Sequence, residues 1–193
     1  MTEDIQLIES TIKPETELER QIISDQRFIT GALSGKPRRG HPEGQVIYHI
    51  GHVLANVDKL SNKNNREKLR LIAIIHDCCK YEVNRSLPRV GDNHHAVRAR
   101  NFAEKYITDN EILEIIELHD NAYNAYQKKV KSGDFKGEKR AFELIERLGD
   151  SLELFLTFYA CDNQTGDKDS LDREWFEKMI DDYKSIKFTI NNI

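Results

Sequence analysis

Six histidine and aspartate side chains are spaced so that each falls on or beside the apolar face of a predicted helix. The six are His49, His76, Asp77, His95, His119 and Asp162. Burying this many ionisable groups together is unfavourable unless a polyvalent cation holds them. Imidazole and carboxylate in combination suit Mn, Fe, Co, Ni or Zn, whereas Mg and Ca favour oxygen-rich sets. The pattern therefore predicts a transition-metal site, and with it an enzyme rather than a scaffold.

Taken singly, none of these residues is informative. A histidine on an apolar face is most often an ordinary core or boundary residue. Asp162 ends an apolar stripe, a position where an aspartate often points to water, and the dipeptide His76-Asp77 is common. The argument for a metal rests on their concurrence, because five separate predicted helices each deliver such a group.

The helices that must position these groups follow from the hydrophobic period and from the breaker residues between them. They are expected at about 14–33, 45–60, 66–80, 94–107, 110–119, 138–148, 151–162 and 171–184. A short strand is expected at 187–190. The chain of 193 residues fits one domain over 1–193, with a motif-bearing core at about 41–165. The fold class is all-α, too irregular for a simple four-helix bundle.

Composition limits the partners. The net charge of −4 argues against nucleic-acid backbone as the main ligand, although a local patch can still attract a small anion. No stretch has the length of a membrane span, and the acidic N-terminus lacks a signal peptide's apolar region, so a cytoplasmic location is expected. Cys78, Cys79 and Cys161 are expected to be reduced and buried. The oligomeric state is left open.

The order H…HD…H…H…D resembles the HD-domain superfamily of metal-dependent phosphohydrolases. The segments that carry the likeness are 48–52, 74–80, 93–96, 117–120 and 160–163. The resemblance implies an irregular helical HD bundle with two divalent transition metals, Mn, Fe, Co or Ni. It implies that the first metal binds His49, His76 and Asp162, that the second binds His95 and His119, and that Asp77 bridges them. Water activated between the two cations would then attack a phosphoryl group.

The third histidine of the pattern is ambiguous, because His94 and His95 are adjacent. His95 is taken as the ligand because it shares a helix face with Ala99 and Phe102. His94 is then expected at the mouth of the site, in contact with substrate. Arg98 lies one turn past His95 and is a second expected substrate contact, with an ordinary surface arginine as the alternative.

Lys80 is a further expected site residue, since the family often shows HD-x-G-K and the lysine is retained here. Its distance from His76 suits a phosphate contact, and the alternative is a lysine on the helix dipole. Asp77 and Lys80 are thus the predicted catalytic residues. Cys79 stands where the family's glycine would be.

The resemblance implies hydrolysis of a phosphomonoester or phosphodiester of a nucleotide or other small phosphorylated metabolite. Two alternatives stay open. The same six-ligand set resembles HD-fold di-iron oxygenases, which the ligands alone do not separate from hydrolases. The chain could also be a regulatory or binding HD module with little turnover.

Overall fold

The computed structural model describes residues 3–38, 42–133, 135–166 and 168–191, with side chains described through residue 187. Within these ranges the chain forms eleven α-helices and no strand, which confirms the all-α prediction. The helices are α1 Glu3–Ile12, α2 Glu17–Ser24, α3 Gln26–Ala32, α4 Val46–Leu60, α5 Arg66–Ile75, α6 His95–Ala103, α7 Asn110–Leu118, α8 Asn121–Ser132, α9 Lys136–Leu148, α10 Leu152–Asn163 and α11 Leu171–Asn191. The predicted boundaries at 1, 41 and 193 fall outside the described residues.

The N-terminal segment differs from the single helix predicted over 14–33. It forms α2 and α3, and the unpredicted α1 precedes them. Asp25 divides the two because its backbone is extended and its side chain accepts a hydrogen bond from the backbone N–H of Arg27. Asp25 therefore ends one helix and caps the next. Thr16 caps α2 by accepting from the backbone N–H of Glu19, which leaves Pro14 outside the helix.

Three further elements depart from expectation. Helix α5 ends at Ile75, and a 3-10 turn over Lys80–Glu82 follows where the prediction extended the helix to 80. Helix α8 was not predicted, because its buried face consists of the small residues Ala122 and Ala125 and gives little hydrophobic signal. The strand expected at 187–190 is wrong, since the backbone of α11 continues through this segment.

The core is built where α4, α5, α7 and α10 meet. Helix α4 packs against α5 and α10, α5 packs against α7, and α6 packs against α7. Helices α1 to α3 cover one side, and α8, α9 and α11 form a layer on the other. All three cysteines are buried free thiols, as expected. None of the helices in the described ranges combines the length and the apolarity that crossing a membrane requires.

Helix α3 lies directly on the turn that follows α5. A Cβ added to Gly31 would stand 1.7 Å from the carbonyl oxygen of Cys78, so no larger residue fits without moving the backbone. The backbone of α3 therefore packs directly against the turn that carries His76 and Asp77.

A buried ion pair attaches α2 to α5. The carboxylate of Glu19 accepts from Arg70 Nε at 2.8 Å and from Arg70 Nη2 at 3.0 Å. The same Nη2 donates to the carbonyls of Ile12 and Lys13, and Glu19 also accepts from the backbone N–H of Glu15. Both side chains are almost fully buried, so Glu19 is the main counter-ion of Arg70, and the more exposed Glu15 adds a second carboxylate at 3.2 Å from Nη1.

We expect Glu19→Ala to lower the free energy of unfolding by about 2–4 kcal/mol, because it removes the buried counter-ion of Arg70 and leaves only the partly exposed Glu15 beside the guanidinium. Urea unfolding followed by circular dichroism measures the loss. The matched control is Glu17→Ala on the same helix, whose exposed pair with Arg20 should change stability by less than about 1 kcal/mol. Equal effects of the two substitutions would contradict this account of the α2–α5 contact.

Candidate metal centre

The structure brings the six predicted residues to one place, and most of them lie at helix ends. His76 and Asp77 follow the last residue of α5, and His119 follows the last residue of α7. His95 is the first residue of α6, and Asp162 lies in the last turn of α10. His49 lies one turn inside the start of α4. At helix ends, polar side chains can converge while the apolar faces of the same helices pack against one another in the core.

The first cluster consists of His49, His76 and Asp162. His49 Nε2 lies 3.0 Å from Asp162 Oδ1 and 3.2 Å from His76 Nε2, and His76 Nε2 lies 4.0 Å from the same carboxylate oxygen. The three side chains present their ligand atoms to a common point. His49 and His76 are both buried, so this cluster is closed to solvent on the imidazole side.

The second cluster consists of Asp77, His95 and His119. Asp77 Oδ1 lies 3.5 Å from Nε2 of each histidine, and the two Nε2 atoms are 3.2 Å apart. The other oxygen of the same carboxylate, Oδ2, lies 3.4 Å from His76 Nε2 and 3.5 Å from His49 Nε2. One carboxylate therefore faces both clusters, with one oxygen directed to each.

Backbone carbonyls fix two of the imidazoles. His76 Nδ1 lies 2.9 Å from the carbonyl oxygen of Ala73, and His119 Nδ1 lies 2.8 Å from that of Ile116. A carbonyl only accepts, so Nδ1 carries the hydrogen in both rings, and in the neutral ring the Nε2 lone pair faces the cluster. Phe158 packs edge-on against the His76 ring, which makes that side of the centre apolar.

The charges of the centre keep its carboxylates ionised. Burial alone would raise the pKa of Asp77, but Lys80 and His76 outweigh burial and hold the pKa well below its usual range. The same balance lowers the pKa of Asp162, where burial is opposed mainly by Lys168 and His49. Burial lowers the pKa of His119, but Asp120 and Asp77 together raise it to about 9. Because the metal-binding form of histidine is neutral, a cation competes with a proton here.

Asp120 is a site residue that the sequence analysis quoted but gave no role. Its Oδ2 lies 3.1 Å from His95 Nε2 and its Oδ1 lies 3.6 Å from His119 Nε2. With His94 and His95 it forms a third convergent group beside the second cluster. A sequence signal existed, because Asp120 follows His119 just as Asp77 follows His76.

Two further residues support the first cluster and were also missed. Lys168 Nζ donates to both the carbonyl and Oδ1 of Asp162 at 3.0 Å, and Glu43 Oε1 lies 3.4 Å from His49 Nδ1. Both come from irregular segments, which carry no periodic signal. Asn56 of α4 donates to the carbonyls of Cys161 and Gln164, and so it holds the end of α10 in place.

The predicted substrate contacts have three different environments. Lys80 reaches the centre and forms an ion pair with Asp77. His94 caps α6, with Nδ1 accepting from the backbone N–H of Ala96, and stacks on His95 at 4.8 Å. Burial, His95 and more distant charges lower its pKa. Arg98 Nη1 instead donates to Glu82 at 3.3 Å, so its charge is already compensated.

The donor set fits divalent transition-metal ions. Four imidazoles and two carboxylates converge, which is the mixture that such ions prefer. Within the described part of the chain, Asp77 Oδ1 is buried and accepts no hydrogen bond of ordinary length, with the Nε2 atoms of His95 and His119 each at 3.5 Å. A buried anionic oxygen without a donor is costly, and a cation between Asp77, His95 and His119 would supply the missing partner.

Comparison with known proteins gives one finding. The sequence model of the HD domain matches residues 46–161, about three-fifths of the chain, and the match contains five of the six predicted residues. It ends one residue before Asp162. No curated protein and no solved structure matches the chain.

We expect the protein reconstituted with Mn²⁺ to hold about two metal ions per chain, and the His119→Ala variant to hold about one. The variant should stay folded, because the apolar face of α7 is unchanged. Elemental analysis after desalting measures the ratio, and His52→Ala, at an exposed histidine of α4, is the control that should keep both ions. Two ions retained in His119→Ala would refute the assignment of the second cluster.

Proposed function

The chain belongs to the HD-domain family, whose superfamily comprises metal-dependent phosphohydrolases, and on that premise we propose that it is a phosphohydrolase with a dinuclear centre. Its substrate would be a phosphomonoester or phosphodiester of a nucleotide or another small phosphorylated metabolite. The observation that carries the proposal is the placing of Asp77, with one oxygen toward each histidine cluster.

The roles divide between the two clusters. We assign one ion to His49, His76 and Asp162, and a second to His95 and His119, with Asp77 shared. Asp120 is an additional carboxylate for the second ion, at 3.1 Å from His95 Nε2. When bound, two such cations polarise a phosphoryl group and lower the pKa of water to near neutrality.

The substrate approaches from the side of the second cluster. The side chains of His95, Lys80 and Asp120 are 12%, 26% and 30% exposed, and that of Asp162 in the first cluster is 16% exposed. Those of His49, His76 and His119 are 3%, 1% and 1% exposed. Three of the four imidazoles are therefore enclosed, and the group of His95, Lys80 and Asp120 borders solvent. A phosphate would therefore reach the ions from the side of His95, Lys80 and Asp120.

Two side chains on the open side can hold the phosphate. Lys80 carries a compact positive charge beside Asp77, and it can turn to a phosphate oxygen with little movement. In the neutral His94 ring, Nδ1 accepts from the backbone and the proton resides on Nε2. His94 can thus donate a hydrogen bond to a substrate oxygen from the mouth of the site.

The first experiment is metal analysis of protein purified without air and chelators, followed by phosphate-release assays on nucleotides, sugar phosphates and p-nitrophenyl phosphate. The proposal expects about two ions per chain and metal-dependent release of phosphate. Iron-dependent oxygen consumption with no phosphate release would instead establish the oxygenase alternative. Neither activity, in protein that holds its metals, would establish a binding module.

We expect Lys80→Ala to lower kcat/KM by about 10²–10³-fold while keeping both metal ions, because a preorganised charge near the phosphoryl group is lost. Lys80→Arg should restore part of the activity. Lys178→Ala on α11, at an exposed lysine far along the chain, is the control and should match the wild type. Unchanged kinetics in Lys80→Ala would remove this residue from the catalytic machinery.

Cys79→Gly should leave kcat/KM within about threefold of the wild type and lower stability by about 1–3 kcal/mol. The backbone of Cys79, at φ −102° and ψ 12°, is open to any residue, so the family's glycine is not required here. The buried thiol fills space that glycine would leave empty. Phosphate-release kinetics and urea unfolding of the same preparation measure both effects, and a gain of tenfold or more in kcat/KM would show that the cysteine restrains activity.

A further inference from the structure

A cleft of about 490 Å³, lined by polar and apolar groups in about equal measure, includes His94, the neighbour of His95 of the second cluster. It lies between the N-terminal end of α6 on one side and α9 on the other, with the end of α7 and the start of α8 along its floor. Its volume is that of a small-molecule site. The lining residues serve no role in the metal centre apart from His94.

His94 joins the cleft to the metal centre. It lines the cleft and also belongs to the convergent group with His95 and Asp120. Leu118 and Asn121, which line the cleft, flank the site residues His119 and Asp120 in sequence. A substrate whose phosphate passes His94 to reach the second cluster would place the rest of its body in this cleft.

Three arginines and two carboxylates, those of Glu117 and Glu143, line the cleft. Both carboxylates are paired, Glu117 with Arg100 and Arg147 and Glu143 with Lys139 at 3.7 Å. Arg147 is paired with Glu114 and Glu117 at 3.0 Å, so its charge is compensated. Arg89 and Arg140 also line the cleft, and among the described residues neither forms an ion pair or hydrogen bond through its guanidinium. Arg89 precedes α6 on the same side as His94, whereas Arg140 lies on α9 across the cleft.

Between the arginines the lining is mixed. Val97 and Leu144 offer apolar surface, and Asn121 and Asn124 offer amide donors and acceptors. This combination suits an uncharged organic body with polar substituents. Arg140 lines the same cleft, and an unpaired guanidinium binds planar or tetrahedral anions such as carboxylate or phosphate.

From this arrangement we propose that the cleft binds the distal part of the substrate, and that Arg140 binds a second anionic group there. The preferred substrate class is then a phosphoester that carries a second phosphate on the same small organic body, rather than a simple monophosphate. The inference rests on the proposed function for the position of the first phosphate at the metal centre. Arg140 is assigned as a specificity-determining residue and takes no part in the chemical step.

Binding tests the inference without catalysis. The probes are two matched pairs, adenosine 3′,5′-bisphosphate with adenosine 5′-monophosphate, and fructose 1,6-bisphosphate with fructose 6-phosphate. Each is titrated by thermal shift into Mn²⁺-loaded Lys80→Ala protein, in which hydrolysis during the titration should be slow. At least one bisphosphate should bind about tenfold or more tightly than its monophosphate, the gain expected from one charge-assisted contact. The pair that responds distinguishes a nucleotide body from a sugar body.

The variants are Arg140→Gln and Arg140→Lys, with Lys131→Gln as the matched control, an exposed lysine of α8 that does not line the cleft. Arg140→Gln should reduce the bisphosphate preference to less than about threefold, Arg140→Lys should recover part of it, and the control should keep it. In kinetics, Arg140→Gln should raise KM for the bisphosphate with kcat little changed, and hydrolysis of p-nitrophenyl phosphate should be unaffected.

No preference for either bisphosphate when Arg140 is intact, or a preference that survives in Arg140→Gln, would overturn the inference. A preference that depends on Arg140 in a protein that releases no phosphate would support the cleft and refute the proposed hydrolase. Failure of the cleft inference and failure of the proposed hydrolase therefore give different results.

Discussion

The structure depends on the position of one buried carboxylate. Asp77 lies among four imidazoles, two on each side, and its Oδ1 accepts no hydrogen bond of ordinary length in the described part of the protein. Without cations, Lys80 and the protons on nearby histidines supply the compensating charge. A fold that holds a carboxylate in this way is unfavourable by itself and is stabilised by what binds to it. The carboxylate stays buried only while the surrounding helices hold their positions.

Several contacts prevent that movement, and they come from different parts of the chain. Gly31 lets the backbone of α3 lie against the turn after Asp77, and the pair between Glu19 and Arg70 attaches α2 to α5 just before that turn. The segment before α4 belongs to the same support, through Glu43 at His49. The N-terminal helices, which carry none of the six residues, are therefore part of the centre's mechanical support.

The sequence was sufficient to predict the all-α class and the six residues that converge, because their spacing follows the helical period of strongly apolar stripes. It was insufficient where the signal is not periodic. Asp25 breaks the predicted first helix through one side-chain cap, and α8 buries alanines rather than large residues. Lys168 comes from an irregular segment, where only the folded chain brings it to Asp162. These features depend on contacts between distant parts of the chain or on single side chains, and the local hydrophobic pattern does not predict them.

The two clusters differ in the helices that border them and in their distance from the cleft that His94 lines. The first is bordered by α4, α5 and α10, and the second by the ends of α6, α7 and α8. The cleft that Arg140 lines shares His94 with the group beside the second cluster. On the proposed function, an incoming phosphate would meet Lys80, His95 and Asp120 while its remaining body lies in the cleft. Selectivity would then depend on α8 and α9, elements outside the six-residue pattern, so proteins with the same ligands can differ in substrate.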